Sequence, residues 1–463
     1  MSSLADDVER RIHRIGSDAL VAFLSRQRWT RGDSFVGVTI SSVHVMEGEP
    51  VVAIALAEAY VALGTHTVYQ LLLGMREPRG GEDAIATVDD VEIYDLGLEP
   101  GPLVQIVRAM RDGRTITGDD RSLVFTSSSA DSVAPLPQDA RLASGAGSNT
   151  SVIVDNRLIL KCYRRLEPGL HPELEMLTAL RDEGTRLVPG LLGSYEHRGG
   201  LMNTTLGVLQ PFRSGAIDGW ELVLSALREG RGDSMLAVLE ELGAATGRLH
   251  AALAGHSDPA FTPEDVDPQS VALSAATLDE LIIEMFAQFP PDDPLLAPLR
   301  HRGDDVRLLS GRLSTASGLG RRIRVHGDLH LGQALWVGDH WEITDFEGEP
   351  DRSLIERRRK HSPLRDLAGL LRSIDYAAGA ARIGGAEVPD RWARTAREVV
   401  TRGYIDAVES TGLLPPTDAV RRELTALFEL EKVLYEIGYE RAHRPDWTSI
   451  PVEGLERMIG DDR

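Results

Sequence analysis

Arg324-Val-His-Gly-Asp-Leu-His-Leu-Gly-Gln333, with Thr344-Asp-Phe-Glu-Gly-Glu-Pro350 close behind it, is the stretch from which the rest of the chain can be read. Asp328 precedes the amide of Gln333 by five residues, and Asp345 follows that amide by twelve, at the end of a short apolar run. A carboxylate can orient a hydroxyl, and an amide oxygen and a second carboxylate suit a hard cation such as magnesium. Phosphoryl transfer from ATP needs this set of groups. Asp328 is therefore the candidate catalytic base, and Gln333 and Asp345 the candidate metal ligands. His326 is expected to shape the loop. His330 either faces the substrate or packs.

Composition narrows the alternatives. The chain has 463 residues, 42% apolar and 26% charged, with a formal charge of -21. That length suits two or three domains of ordinary globular make-up. The negative charge argues against general binding to nucleic acid or anionic membranes, which would repel it. Cys162 is the only cysteine, so no internal disulfide forms and a reducing, cytoplasmic setting is expected. Residues 1–10 lack a signal-peptide profile, and no apolar run approaches the length of a membrane span.

Periodicity organises the chain into an acidic N-terminal unit (1–93), a β-rich region (94–212) and a mostly helical remainder (213–463). A polar helix through Leu4–Ser25 has an apolar face of Ile12, Ile15, Leu20, Phe23 and Leu24. Strands are expected at Val36–Val45, Val51–Leu63, Val68–Leu73 and Ser122–Thr126, and a helix at Leu103–Arg111. Ser151–Val154 and Leu158–Tyr163 read as a hairpin turning at Asp155-Asn156. Pro172–Arg181 reads as a helix and Leu206–Leu209 as a strand. The fold class is α+β: a bilobal, protein-kinase-like plan with a small β-rich N-lobe, a large helical C-lobe and an added N-terminal α/β cap subdomain.

The spacing at 328, 333 and 345 is that of the protein-kinase catalytic loop and metal-binding Asp, with Gly327 where those enzymes have Arg and Gln333 where they usually have Asn. The nucleotide-side parts precede it in order. Ser144-Gly-Ala-Gly-Ser-Asn-Thr-Ser-Val152 is a glycine-bearing turn whose N–H groups, around Ser148 and Asn149, could donate to phosphates; taken alone it is more often a plain turn. Lys161 ends an apolar strand and is placed to reach the α- and β-phosphates, with Glu175 in the following helix as its ion-pair partner. Gln210-Pro-Phe212 follows a strand where an adenine-binding hinge belongs. Arg357-Arg-Arg-Lys360 could contact phosphates, though such a run is more often a solvated face.

Several stretches together resemble the actinobacterial maltokinases: Ser148–Val152, Ile159–Lys161, Val325–Gln333, Asp345–Pro350 and Ser362–Gly369. Arg372–Tyr376, Glu431–Glu436 and Arg444–Trp447 do so too. The resemblance implies membership of the wider aminoglycoside-phosphotransferase-like group, with ATP and magnesium as cofactors and a sugar as acceptor. It carries the kinase roles to Lys161, Glu175, Asp328, Gln333 and Asp345, and points to Lys432, Tyr435 and Glu436 as sugar contacts. The N-terminal text departs from the maltokinase pattern: Gln27-Arg-Trp-Thr-Arg-Gly-Asp33 lacks its Phe and Lys. Glucosamine kinases share the maltokinase-like build, so glucosamine, phosphorylated to glucosamine 6-phosphate, is ranked ahead of maltose and maltose 1-phosphate. Glu347, Glu349, Glu436 and Glu440 are carboxylates that could meet its ammonium. An aminoglycoside phosphotransferase and a non-catalytic kinase-like binding module are the remaining alternatives. A monomer is compatible with all of these.

Overall fold

A computed structural model describes residues 4–460 except 31, 62–63, 81–82, 119, 144–146, 201, 289–292, 295, 300–301 and 312–317. Of the two glycines expected to approach phosphate, Gly145 lies outside the described residues. The chain forms two compact units, Met1–Thr178 with Gly190–Ser214, and Ala179–Pro189 with Gly215–Arg463.

The first unit holds two antiparallel sheets. One contains β1 (Phe35–Met46), β2 (Val52–Val61), β3 (His66–Arg76), β4 (Ala84–Val88) and β5 (Val91–Asp95), ordered β1-β2-β3-β5-β4. Small and β-branched residues make β2 buried along nearly its whole length, so it takes an inner position. One face is covered by α1 (Leu4–His13) and α2 (Ser17–Leu24). Their Ile12, Leu20, Phe23 and Leu24 pack with Val38, Ala55, Tyr69 and Leu71. A single helix was expected here; Gly16, extended at φ -66° and ψ 145°, breaks it in two. The apolar face survives because the break re-aims α2 onto the same sheet.

The second sheet runs β6-β7-β12-β13-β10-β9-β8. Its strands are β6 (Thr115–Thr117), β7 (Arg121–Ser127), β8 (Ala140–Leu142), β9 (Asn149–Val154), β10 (Leu158–Tyr163), β12 (Gly193–Gly199) and β13 (Thr204–Pro211). The two-residue β11 (Arg165–Leu166) continues from β10 and pairs instead with β3. The hairpin turn has the expected chemistry: Asp155 and Asn156 sit at φ 50° and 53°, which a tight two-residue turn requires. The helix α3 (Val104–Arg111) packs on this sheet, and α4 (Pro172–Asp182) follows it. Of the seven strands, β12 had no alternation to announce it: Gly193-Ser-Tyr-Glu-His-Arg-Gly199 is mostly polar, and it is held by its neighbours on both sides.

Buried polar contacts stitch the two sheets together. Gln70 on β3 donates to the carbonyls of Tyr163 and Leu206 at 2.8 and 2.9 Å and accepts from the Tyr195 hydroxyl at 2.9 Å. Arg164 forms a two-pronged pair with Asp95, both contacts 2.8 Å, with the guanidinium 1% exposed. His44 and His197 meet at 2.8 Å, and burial drives His44 down to about 3, so it stays neutral.

The second unit is mostly helical. It comprises α5 (Gly219–Arg228), α6 (Leu236–Gly255), α7 (Pro268–Gln288), α8 (Gly303–Gly311), α9 (Leu354–Arg357), α10 (Leu364–Ile383), α11 (Asp390–Val408), α12 (Asp418–His443) and α13 (Ser449–Gly460). Short strands β14 (Ile217–Asp218), β17 (Ala334–Val337) and β18 (His340–Ile343) form one small sheet, and β15 (Glu264–Asp265) pairs with β16 (Arg321–Arg322). Helix α10 is buried on nearly every face and is the axis of the unit. Its Arg372 and Asp375 join an ion network with Arg397 of α11, Glu429 and Glu436 of α12, and Arg457 of α13. Among the described residues, no helix is long and apolar enough to cross a membrane.

Breaking one side of a buried ion pair strands the other charge, at a cost of about 3–5 kcal/mol. Arg164→Met should therefore lower the unfolding free energy of the first unit by that amount in urea titrations. Arg198→Met, whose partner Glu196 lies at the surface, should change it by less than about 1 kcal/mol.

Candidate active site

On the nucleotide side, strand alternation puts Cys162 on the buried face of β10 and Lys161 on the other. Burial raises the Cys162 thiol to about 11, so it behaves as an inert core residue. Lys161 Nζ lies 2.9 Å from Glu173 at the start of α4. Glu173 also accepts the Tyr163 hydroxyl at 2.7 Å. Glu173, a carboxylate that the local sequence pattern does not single out, is thus a neighbour of Lys161. Glu175, the expected partner, is buried two residues further along the helix. Asn149 opens β9 and donates to the Ser148 hydroxyl at 3.3 Å. At the expected hinge, Gln210 is buried within β13 opposite Ile159. The Phe212 N–H donates to the Arg157 carbonyl at 2.7 Å, so that N–H is already engaged within the sheet edge.

In the second unit, the catalytic loop is held by a stripe along α10. Asp366 accepts the N–H groups of His326 and Gly327 at 2.8 and 2.9 Å, together with His250 Nε2 at 3.0 Å. One turn on, Gly369 meets the loop so closely that a Cβ there would stand 2.3 Å from the Leu329 carbonyl oxygen. One further turn on, the Ser373 hydroxyl accepts the Leu331 N–H at 3.1 Å. Positions 366, 369 and 373 fall on one helical face. Burial alone would raise the Asp366 carboxyl, but the His250 bond, the nearby His326 and the Gly327 N–H outweigh it and hold it at about 2.

His326 takes the bracing role expected of it. Its Nδ1 accepts the Asp328 N–H at 3.3 Å, so Nε2 carries the proton and donates to the Thr344 carbonyl at 2.8 Å. This ties Asp328 to the residue preceding Asp345. Gly327 needs its lack of side chain, since φ is +87° there. Asp345 occupies the same left-handed region, at φ 66°, as a non-glycine residue, a conformation that persists only where surroundings enforce it. The Gln333 amide donates through Nε2 to Asp345 at 2.9 Å, so its carbonyl oxygen is the atom that could face a cation. The carboxylate oxygens of Asp345 and Glu347 lie within 4.8 Å of one another. An amide oxygen and two carboxylates are oxygen donors of the kind a magnesium ion takes.

Asp328 has Lys432 as a neighbour, Nζ to Oδ1 3.7 Å. From Lys432 a face of α12 continues at four-residue steps through Glu436 and Glu440. Glu436 accepts twice from Arg372 on Oε2, at 3.1 and 2.7 Å. Glu440 accepts from Tyr376 and Arg444 at 3.2 and 2.6 Å. Arg444 covers the Trp447 ring at 4.6 Å, and Trp447 stacks on Trp220, 6.3 Å between centroids. Trp220 follows Asp218, which caps α5 through the Trp220 N–H and is raised by burial. His330 accepts the Gly332 N–H on Nδ1, and burial keeps its imidazole neutral, leaving Nε2–H as a donor. Tyr435 is the most open of the expected sugar contacts, 61% exposed and stacked on Tyr439. Glu349 is drawn away from any ligand role by ion pairs with Arg365 and Arg352.

The structure is α+β, a β-rich unit followed by a helical one, and these groups are of the kind an ATP-dependent phosphotransferase uses. The chain is 28% identical to a glucosamine kinase of Mycolicibacterium smegmatis over 380 residues, 78% of this chain and 90% of that one. It is 27% identical to a glucosamine kinase of Streptacidiphilus jiangxiensis over 323 residues, 67% and 72% of the two chains. A solved glucosamine kinase in complex with glucosamine, ADP and inorganic phosphate shares the fold, with a TM-score of 0.67 at 21% identity, covering 90% of this chain and 93% of that one. A second crystal form of a glucosamine kinase superposes with the same score over 98% of this chain and 100% of that one, at 19% identity. No protein-family model matches the chain.

Asp366→Asn should lower kcat by about 100-fold, since misplacing the loop by about 1 Å costs that much, with the ATP KM little changed. Its acid sensitivity should change too. A carboxyl depressed from 3.8 to about 2 contributes stability above pH 4 and loses it as pH falls toward 2. Wild type should shed about 2 kcal/mol across that window that the variant does not, as read by denaturant titration at stepped pH.

Proposed function

We propose that this chain is an ATP- and magnesium-dependent glucosamine kinase that makes glucosamine 6-phosphate. The observation that carries the reading is its kinship with two glucosamine kinases over most of its length, together with an acidic stripe that begins at Asp328 and runs along α12. Lys161, steadied by Glu173, holds the nucleotide phosphates, and Ser148 and Asn149 lend polar groups to them. Asp328 orients the 6-hydroxyl and takes its proton as the sugar oxygen bonds to the γ-phosphorus. The bond from that phosphorus to the bridging oxygen breaks, and ADP leaves with the electron pair. Gln333 and Asp345 would hold magnesium, which screens the phosphate charge when bound. Lys432, 3.7 Å from Asp328, keeps a positive charge beside the base.

Glu436 meets the ammonium of the aminosugar. It is already neutralised by Arg372, but both of those contacts fall on Oε2, and a carboxylate has about four acceptor positions. Glu440, buried and bonded to Tyr376 and Arg444, backs this face. His330 Nε2–H donates to a ring hydroxyl, and Trp220 and Trp447 offer flat apolar walls for the sugar.

Asp328→Asn should reduce kcat by about 10²–10⁴-fold while ADP binding, followed by calorimetry, is preserved. Full turnover in that variant would remove the assigned base. Lys432→Ala and Glu436→Ala should raise the sugar KM and leave the ATP KM near wild type. Replacing the ammonium by a neutral group should cost about 1–3 kcal/mol, roughly ten- to a hundredfold in kcat/KM. Glucosamine should therefore exceed glucose by that factor, with N-acetylglucosamine and maltose lower still. A coupled ADP-release assay with the four sugars side by side tests this, and a maltose preference would overturn it.

A further inference from the structure

Helices α6 and α11 approach each other closely through glycines. A Cβ on Gly243 would stand 2.1 Å from the Val400 carbonyl oxygen, one on Gly247 2.8 Å from that of Tyr404, and one on Gly403 2.2 Å from that of Glu240. Gly243, Gly247 and His250 recur at steps of four and three, so His250 lies on the face of α6 that meets α11. The approach brings the Tyr404 hydroxyl to 3.0 Å from His250 Nδ1, with the two rings at 83°. Both side chains are fully buried.

The two imidazole nitrogens face different partners. Nε2 lies 3.0 Å from Asp366. That carboxyl is held at about 2 and has no proton to give, so Nε2 carries one. Nδ1 faces the Tyr404 hydroxyl, which burial and the nearby Asp366 keep protonated. Among the described residues the hydroxyl bonds only to His250. Its proton therefore points at Nδ1, and the ring can accept it only in the tautomer protonated on Nε2. In the other tautomer the Nε2 lone pair would face the Asp366 carboxylate, a repulsion that no water relieves.

We propose that Tyr404 is a positioning residue for the catalytic loop: by donating to His250 Nδ1 it fixes the tautomer that donates to Asp366, and through Asp366 it orders His326, Gly327 and the adjoining Asp328. The inference rests on the reading of Asp328 as the base. No bond is made or broken along this path; it carries orientation from α11 through α6 and α10 to the loop. Without the hydroxyl, Nδ1 becomes a buried acceptor with no donor, and a second proton placed there would have no acceptor.

The test uses the full-length protein. In nitrogen NMR of labelled histidine, with the His250 signals identified by their loss in His250→Gln, wild type should show Nδ1 bare and Nε2 protonated. Tyr404→Phe should alter that pattern. It should also lower kcat by about tenfold, part of the roughly 100-fold lost when a reacting group is misplaced by about 1 Å, with the ATP KM near wild type. Because Tyr404 acts through Asp366, Tyr404→Phe combined with Asp366→Asn should be no slower than Asp366→Asn alone. Arg402→Gln is the control: Arg402 ties α11 to α6 through Glu240, both contacts 2.8 Å, without reaching His250, and its loss should leave kcat unchanged. A proton on Nδ1 in wild type overturns the proposal, whether or not any variant folds. So does an unchanged kcat in Tyr404→Phe, a loss that multiplies in the double variant, or an equal loss in Arg402→Gln. Full turnover in Asp328→Asn is a different result: it removes the base assignment, while the spectrum, read without turnover, still decides the tautomer.

Discussion

Asp366 is the constraint on which the catalytic loop depends. A carboxylate with no exposure, taking two backbone N–H groups and one imidazole, can exist only if all three donors stay in place. Any movement of the loop leaves a buried charge short of partners. The loop is therefore pinned at His326 and Gly327, and Asp328 is the next residue. His326 carries the constraint onward to Thr344, and so to the strained backbone of Asp345. Asp328 and Asp345, the proposed base and metal ligand, are positioned by one connected set of bonds, anchored on a helix that is itself buried.

Helix α10 serves two sides at once. Its 366–369–373 stripe faces the loop, while Arg372 and Asp375 face the ion network that binds α11, α12 and α13. The same network holds Glu436, so the acidic face of α12 is fixed relative to Asp328 by charge pairing as well as packing. In the first unit the equivalent tie is made by Gln70, Tyr195 and the Arg164–Asp95 pair, which join the N-terminal sheet to the sheet bearing Lys161. Polar groups this deeply buried do little for net stability, but they admit one register only.

Local pattern made several elements legible. The apolar run ending in Lys161, the Asp155-Asn156 turn and the 328–333–345 spacing each follow from chemistry confined to a few residues. The place of Glu173 beside Lys161 did not. It shares the first turn of α4 with Glu175, and its approach to the lysine depends on how the helix leans over Tyr163. Gly16 divided an expected helix because an apolar stripe can persist across a break when both pieces return to one sheet.

The sequence by itself determined the reaction type, because a carboxylate, an amide and a second carboxylate at set spacing have few other uses. Only the tertiary structure decided which distant residues complete the site. His250 and Asp366 are 116 positions apart, and Lys432 is 104 residues from Asp328. Contacts of this kind arise from helix packing, where the side chain that reaches a site is selected by crossing angle and depth, and neither is written in local periodicity.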